Sequence, residues 1–318
     1  MNAQPRHRRG LVERLDDGAV LCAEGYLFEL ERRGYLQAGA FVPEVVLEFP
    51  DAVITLHRDF LRAGSDVIEA LTYYGHREKL RLIGKEELLE PLQRHALAIA
   101  KQVATEGAET SPLVAGNVCN TNVWDPQDAT TEAEVRAMFE EQVAWAAEAG
   151  VDFVIAETFG FYGEARVALE AIKQAQLPAV VTFALHQEGV LRDGVVIEEA
   201  CQRLEQAGAE VVGLNCTRGP QTMLPYVRRI RQAVACHVAA VPVPFRTSVA
   251  QPTFQSLQDP GCDVIPEDRP FPTALDPFTC NRYEMRAFAQ QAYAHNIRYL
   301  GGCCGSGPHH IRAMAEAL

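Results

Sequence analysis

Apolar positions along this chain alternate between two periods. Segments with an apolar residue every three or four positions end at Ala-Gly. One residue later comes an acidic side chain, followed by a run of β-branched or apolar residues. The unit reads Ala63-Gly64-Ser65-Asp66-Val67-Ile68, then Ala149-Gly150-Val151-Asp152-Phe153-Val154, then Ala207-Gly208-Ala209-Glu210-Val211-Val212. A fourth version, His295-Asn296-Ile297-Arg298-Tyr299-Leu300, carries asparagine in place of glycine. Glycine or asparagine at that point suits a helix C-terminus closing in left-handed geometry. The continuous apolar run suits a strand buried on both faces. Each unit therefore predicts helix, tight turn, parallel strand.

Extending this pattern predicts eight strands, near 20–24, 66–73, 113–119, 152–158, 179–185, 210–216, 237–243 and 298–304. Helical periods fill the gaps. The clearest runs from 132 to 149, where Thr131 and Glu134 suggest a capping box and Val135, Met138, Phe139, Val143 and Ala146 form one apolar face. A second spans 194–207, with Val196, Ile197, Ala200, Cys201 and Leu204 expected inward. Eight alternations argue for a single α/β domain, a closed (β/α)8 TIM barrel over residues 11–318, in preference to an open doubly wound sheet. Residues 1–10 read as a flexible N-terminus. The rhythm breaks once, after strand seven, where 242–280 hold eight prolines and little periodicity. A long loop on the face where barrel active sites form, with its shape restricted by proline, predicts a pre-organised wall.

Composition narrows the class. Of 318 residues 48% are hydrophobic and 22% charged, an ordinary globular balance, and the net charge of −13 opposes a nucleic-acid partner. No apolar run approaches the ~20 residues of a membrane span, and no apolar stretch follows the basic start, so no membrane association or secretory signal is read. Nine cysteines make a poor disulfide framework and point to a reducing cytoplasm. HExxH, Walker, G-x-S-x-G and strand-associated GxGxxG patterns are absent.

Two predicted strands end in cysteine signatures: Gly213-Leu214-Asn215-Cys216 and Gly301-Gly302-Cys303-Cys304-Gly305. Both lie at C-terminal strand ends, hence on one rim, with a single strand between them. Neighbouring residues of a regular strand point to opposite faces, but the flanking glycines permit irregular backbone that could bring both sulfurs inward. Three thiolates with an open fourth position describe a catalytic rather than a structural zinc. A strained disulfide between the adjacent thiols is the competing reading. Cys22, Cys119, Cys201 and Cys236 read as ordinary buried residues. A trithiolate zinc is a weak activator of water and is well suited to taking a fourth sulfur, which points to a substrate thiol activated for nucleophilic attack.

These signatures resemble those of the zinc-dependent homocysteine S-methyltransferases. Glu31-Arg32-Arg33-Gly34-Tyr35, the segment from Leu56 to Gly64 and the tail from Pro308 to Glu316 are similar to the betaine–homocysteine branch, and the likeness runs from about Leu11 to Leu318. The resemblance implies a barrel in which Cys216, Cys303 and Cys304 hold Zn²⁺, which holds the homocysteine sulfur for in-line attack on the methyl group of a betaine-like or sulfonium donor. It implies that Glu157 holds the acceptor's ammonium. It places Tyr26, Phe41, Tyr73 and Tyr74 around the onium group, and Glu24, Gly25 and Thr158 in the substrate site. It also admits self-association into a homo-oligomer. Betaine-type members carry Asp-Gly-Gly where this chain has Ala23-Glu24-Gly25; on a strand a one-residue displacement flips the face of the acidic group. Phe41 replaces a tryptophan, and Thr158 a tyrosine. Other readings keep the zinc but change the acceptor, or make the sulfurs a zinc- or redox-responsive sensor without turnover.

Overall fold

The computed structural model describes residues 9–36, 43–106, 111–265 and 269–318. Eight parallel strands, β1 Val20–Ala23, β2 Val67–Glu69, β3 Leu113–Cys119, β4 Phe153–Phe159, β5 Ala179–Phe183, β6 Val211–Asn215, β7 His237–Val241 and β8 Tyr299–Gly302, close into a barrel in chain order. β8 returns to β1, pairing Cys22 with Gly301 and Ala23 with Gly302. Helices follow the strands around the outside, the (β/α)8 architecture expected. No helix among the described residues is long and apolar enough to cross a membrane.

The repeated unit has a physical cause at each of its positions. Gly64, Gly150, Gly208 and Asn296 all close their helices with positive φ, between +58° and +107°. The acidic residue two places later ties the bottom of the barrel together. Asp66 accepts the Leu21 N–H at 2.8 Å, Asp152 the Val114 N–H at 2.7 Å and Glu210 the Ala179 N–H at 2.7 Å. Each carboxylate therefore satisfies a donor at the start of the preceding strand, where the ladder has no partner to offer.

Several boundaries differ from the sequence reading. The helix expected from 132 begins at Ala129. Its cap is Asp128, which accepts the Thr130 N–H at 2.9 Å, while the Thr131 hydroxyl donates to the carbonyls of Asp125 and Asp128. A capping aspartate outcompetes the downstream threonine because it reaches the free amides first. The helix expected over 194–207 spans Ile197–Gln206. Val196 is exposed there, bridging Val190 across a short turn, while Ile197, Ala200, Cys201 and Leu204 are buried as expected. Most consequential for the site, β2 stops at Glu69 and β8 at Gly302, each short of the expected end.

Candidate active site

The rim is built from residues just beyond the strand ends, where alternation no longer governs direction. The β8 ladder ends at Gly302, so Cys303 and Cys304 lie in a turn rather than on opposite faces. The Ser306 N–H closes that turn onto the Cys303 carbonyl at 2.9 Å, with Gly305 at φ +92° in the position that demands it. A side chain on Gly301 would strike the Cys22 carbonyl at 1.9 Å, so β8 lies closer to β1 than any other residue would allow. Cys216 follows β6 at φ +54° and Thr217 continues at +59°. The sulfurs of Cys216, Cys303 and Cys304 lie within 4.8 Å of one another, with Cys303 and Cys304 4.0 Å apart. Hydrogen bonds from the Cys303 and Cys304 thiols hold the Cys216 sulfur down to about 5, while the other two are raised by sharing that charge. The first proton leaves such a cluster easily and the next ones do not, unless a cation is present.

Left-handed backbone recurs around this rim. Tyr74 (φ +59°) follows β2 and Thr158 (+64°) is the last residue but one of β4. For a β-branched threonine this is a genuine departure, at roughly 1–3 kcal/mol per residue, and such strain concentrates at functional sites.

Beside the sulfurs lies an acidic cleft. Glu157 and Glu69 are buried, and Glu24 approaches both Glu157 and Cys303, their ligand atoms grouped within 4.8 Å. Asn117 Nδ2 donates to Glu69 at 2.5 Å and to Glu157 at 2.7 Å, and Asn215 Nδ2 donates to the other Glu157 oxygen at 2.5 Å. Burial, then the neighbouring Cys303, pushes Glu157 up to about 8; burial and repulsion from Glu157 raise Glu24 and Glu69 well above the carboxylate range. Glu24 Oε2 is buried without a hydrogen-bond partner among the described residues. The cleft holds about 20 Å³, room for one water-sized group such as an ammonium. A cation entering it would relieve the repulsion and meet the unpaired oxygen.

On the other side opens a larger cavity of about 430 Å³, reached by Cys216, Cys304 and Thr158 and walled by Tyr73, Tyr74, Trp124, Phe161, Phe254 and Phe271. Ring faces of this kind suit an onium cation. Phe254 and Phe271 meet edge to face at 4.9 Å and come from the proline-rich loop after β7, which forms the wall expected of it.

The sequence-predicted residues distribute as follows. Tyr73 and Tyr74, whose rings lie 4.3 Å apart, both face the large cavity, since β2 has ended and neither is forced into the core by alternation. Tyr26 lines the small cleft instead, packed on His57 and Phe60. Gly25 caps the helix Tyr26–Arg32, its Cα pressed against the Ser306 carbonyl. Glu24 lies past the end of β1, so the displacement of its acidic group does not flip it away from the mouth. Thr158 donates to Glu157 Oε2 at 3.1 Å. Phe41 lies outside the described residues. Sequence reasoning missed Glu69, Asn117, Asn215 and Trp124. A polar residue inside an otherwise apolar parallel strand, as in Val67-Ile68-Glu69-Ala70, was the available signal for the first three.

Residues 24–318 match the family model for homocysteine S-methyltransferase. The chain is 35% identical over 320 residues to the S-methylmethionine–homocysteine S-methyltransferase BHMT2 of Pongo abelii, covering 99% of this chain and 82% of that protein. It is 37% identical over 317 residues to betaine–homocysteine S-methyltransferase 1 of Xenopus tropicalis, covering 98% and 76%. Among solved structures, the metallated form of the homocysteine methyltransferase MmuM from Escherichia coli superposes with a TM-score of 0.74 at 18% identity, covering 96% of this chain and 98% of that one, a likeness of fold. The chain is a methyltransferase and belongs to the homocysteine S-methyltransferase family.

Proposed function

We propose that the chain transfers a methyl group from a betaine-like or sulfonium donor to the sulfur of homocysteine, giving methionine, with Zn²⁺ held by Cys216, Cys303 and Cys304. The observation that carries this reading is the convergence of three sulfurs on the rim between an acidic cleft and an aromatic cavity. The donor set fits zinc. A tetrahedral site with Zn–S bonds of about 2.3 Å sets its sulfurs about 3.8 Å apart, and the Cys303–Cys304 separation is 4.0 Å. When bound, zinc supplies a soft Lewis acid with one position left for a fourth sulfur, keeping that sulfur deprotonated at neutral pH.

The chain's own residues bind and orient. Glu157, braced by Asn117, Asn215 and Thr158, accepts the acceptor's ammonium in company with Glu24. Tyr26 and Gly25 shape that cleft. Tyr73 and Tyr74 surround the onium group and exclude water. Held in this way, the sulfur and the methyl carbon meet in line. One S–C bond forms, the bond from methyl to nitrogen or sulfur breaks, and the donor leaves as a neutral amine or thioether. The reducing cytoplasm suits an unprotected thiol cluster. The test is methionine formation, followed by mass spectrometry, from homocysteine with glycine betaine, dimethylsulfoniopropionate, S-methylmethionine or proline betaine. Turnover of at least one donor is expected; turnover of none, with zinc fully loaded, overturns the reading.

A further inference from the structure

The aromatic cavity carries a cation at its outer rim that methyl transfer itself does not require. Arg192 occupies a tight turn after β5, closed by the Leu191 N–H on the Val195 carbonyl and the Gly194 N–H on the Leu191 carbonyl, both at 2.9 Å. The turn is clamped to the rim on two sides. The Arg192 N–H donates to the Gly160 carbonyl at 2.9 Å, and the Asp193 carboxylate accepts the Gly163 N–H at 3.1 Å. A Cβ on Gly160 would stand 3.1 Å from Arg192 Cδ and 3.2 Å from Nε, so the arginine stem packs closely over this glycine.

Among the described residues the Arg192 guanidinium has no hydrogen bond or ion pair; it lies over the Phe161 ring at 5.8 Å. The carboxylate that lines the same cavity, Glu164, is buried and already accepts the Thr121 N–H and hydroxyl at 2.7 Å each. His186 stands on the same wall, and the buried Arg218 donates to the carbonyls on either side of it, those of Leu185 at 2.8 Å and Gln187 at 3.0 Å. The cavity thus runs from a floor of Cys216 and Cys304 sulfurs, past aromatic walls, to a guanidinium at the rim. Its field favours a dipolar guest with the cationic end inward and the anionic end outward.

We propose that Arg192, with His186 beside it, binds the carboxylate of the methyl donor, so that the site selects zwitterionic onium carboxylates over simple onium cations. This rests on the reaction proposed above and names the part of the donor that the cavity reads. Guanidinium is suited to the task because its planar fork matches a carboxylate with two parallel hydrogen bonds.

The experiment compares glycine betaine and dimethylsulfoniopropionate with their carboxamides, in the wild-type protein and in Arg192→Gln and Arg192→Lys. Loss of a charge-assisted pair predicts a rise of about tenfold or more in the KM of the carboxylate donors in Arg192→Gln. The kcat, the KM of the carboxamides and the KM of homocysteine should change little, and Arg192→Lys should recover part of the loss. An equal loss on acids and amides overturns the proposal, as does no change at all. A rise confined to the homocysteine KM also overturns it, because the guanidinium would then serve the acceptor. Quenching of Trp124 fluorescence gives a reading independent of turnover. Preference for the carboxylate compounds, abolished in Arg192→Gln, supports the assignment even if no methyl moves, whereas equal binding of acid and amide refutes it. Absence of methionine from every donor strikes only the proposed reaction.

Discussion

The Asn215 side-chain amide donates to Glu157 Oε2 at 2.5 Å, and the next residue in the chain is Cys216. One fully buried asparagine thereby couples the acidic cleft to the sulfur cluster. Its amide also donates to Thr158 Oγ1, while its carbonyl oxygen accepts the Thr158 N–H and the Thr182 hydroxyl, each at 2.9 Å. Asn215 is held rigidly because both its amide nitrogen and its carbonyl oxygen are bonded.

Asn215→Ala removes these bonds, together with a longer one from the same amide to Cys303 Sγ at 3.9 Å, and leaves all three cysteines in place. Hydrogen bonds to a charged group are worth about 1.5–3 kcal/mol, so kcat/KM for homocysteine should fall by roughly 10- to 100-fold, chiefly through KM. Zinc content should stay at the wild-type level. Steady-state kinetics with metal analysis checks this; a fall in kcat at unchanged homocysteine KM would show that Asn215 does not act through Glu157.

The barrel was legible in the sequence because its punctuation has a local cause: Gly64, Gly150, Gly208 and Asn296 each need left-handed backbone whatever surrounds them. Cys216, Cys303 and Cys304 were legible because adjacent, glycine-flanked cysteines at strand ends are unusual by type. Glu69, Asn117 and Asn215 stood out only as polar residues within apolar strands; their roles come from partners on neighbouring strands, at a register that spacing alone does not give. The ends of β2 and β8 were overrun because an apolar or glycine-rich tail continues the strand pattern after the ladder has stopped. The facing of Glu24 was not legible for the same reason, because strand alternation stops with Ala23 at the end of β1. Arg192 carries no signal in its own segment; only the fold sets it against Gly160 and Phe161.

The sulfur cluster predicts a metal stoichiometry. Purified protein should carry about one zinc per chain, the expectation for three thiolates converging on one position. Cys216→Ala should lose it, because two sulfurs on one turn cannot hold the ion alone, while circular dichroism remains that of a folded barrel. Cobalt substitution should give thiolate charge-transfer bands that shift on adding homocysteine. Full zinc occupancy in Cys216→Ala would place the metal elsewhere.

At the opposite end of the barrel, Asp66 accepts the Leu21 N–H at 2.8 Å. Asp66→Ala leaves that strand-initial donor unpaired in a partly buried setting, a loss of about 1–3 kcal/mol. Urea unfolding should show that decrease with an unchanged m-value. The kcat should stay within about twofold of wild type, since Asp66 precedes β2, at the end of the barrel away from the sulfurs. A large loss of activity in a variant of normal stability would contradict the purely architectural role.

His57 makes stability depend on pH with a definite sign. It lies on the inner face of the helix Pro50–Ala63 with Leu56 and Phe60, its ring 4.9 Å from that of Tyr26, and neither ring nitrogen has a hydrogen-bond partner among the described residues. Burial pushes it down to about 3, so the folded protein keeps it neutral. The unfolded chain takes up a proton near the ordinary value of about 6.5. The unfolded state therefore binds more protons between these limits, and His57 removes about 1.4 kcal/mol of stability per pH unit as pH falls from 6.5 towards 3. His76 and His310, each lowered by burial to about 4, act in the same sense. The raised carboxyls of Glu24, Glu69 and Glu157 act in the opposite one, because the folded state holds their protons more tightly. The net slope mixes these contributions, so the informative quantity is a difference between two proteins. His57→Phe keeps an aromatic ring in the same apolar site and removes one titration. Urea unfolding of both proteins between pH 7 and pH 5 should show the variant losing less stability on acidification, by close to one proton's worth of slope. Identical slopes would mean that His57 does not titrate between the folded and unfolded states.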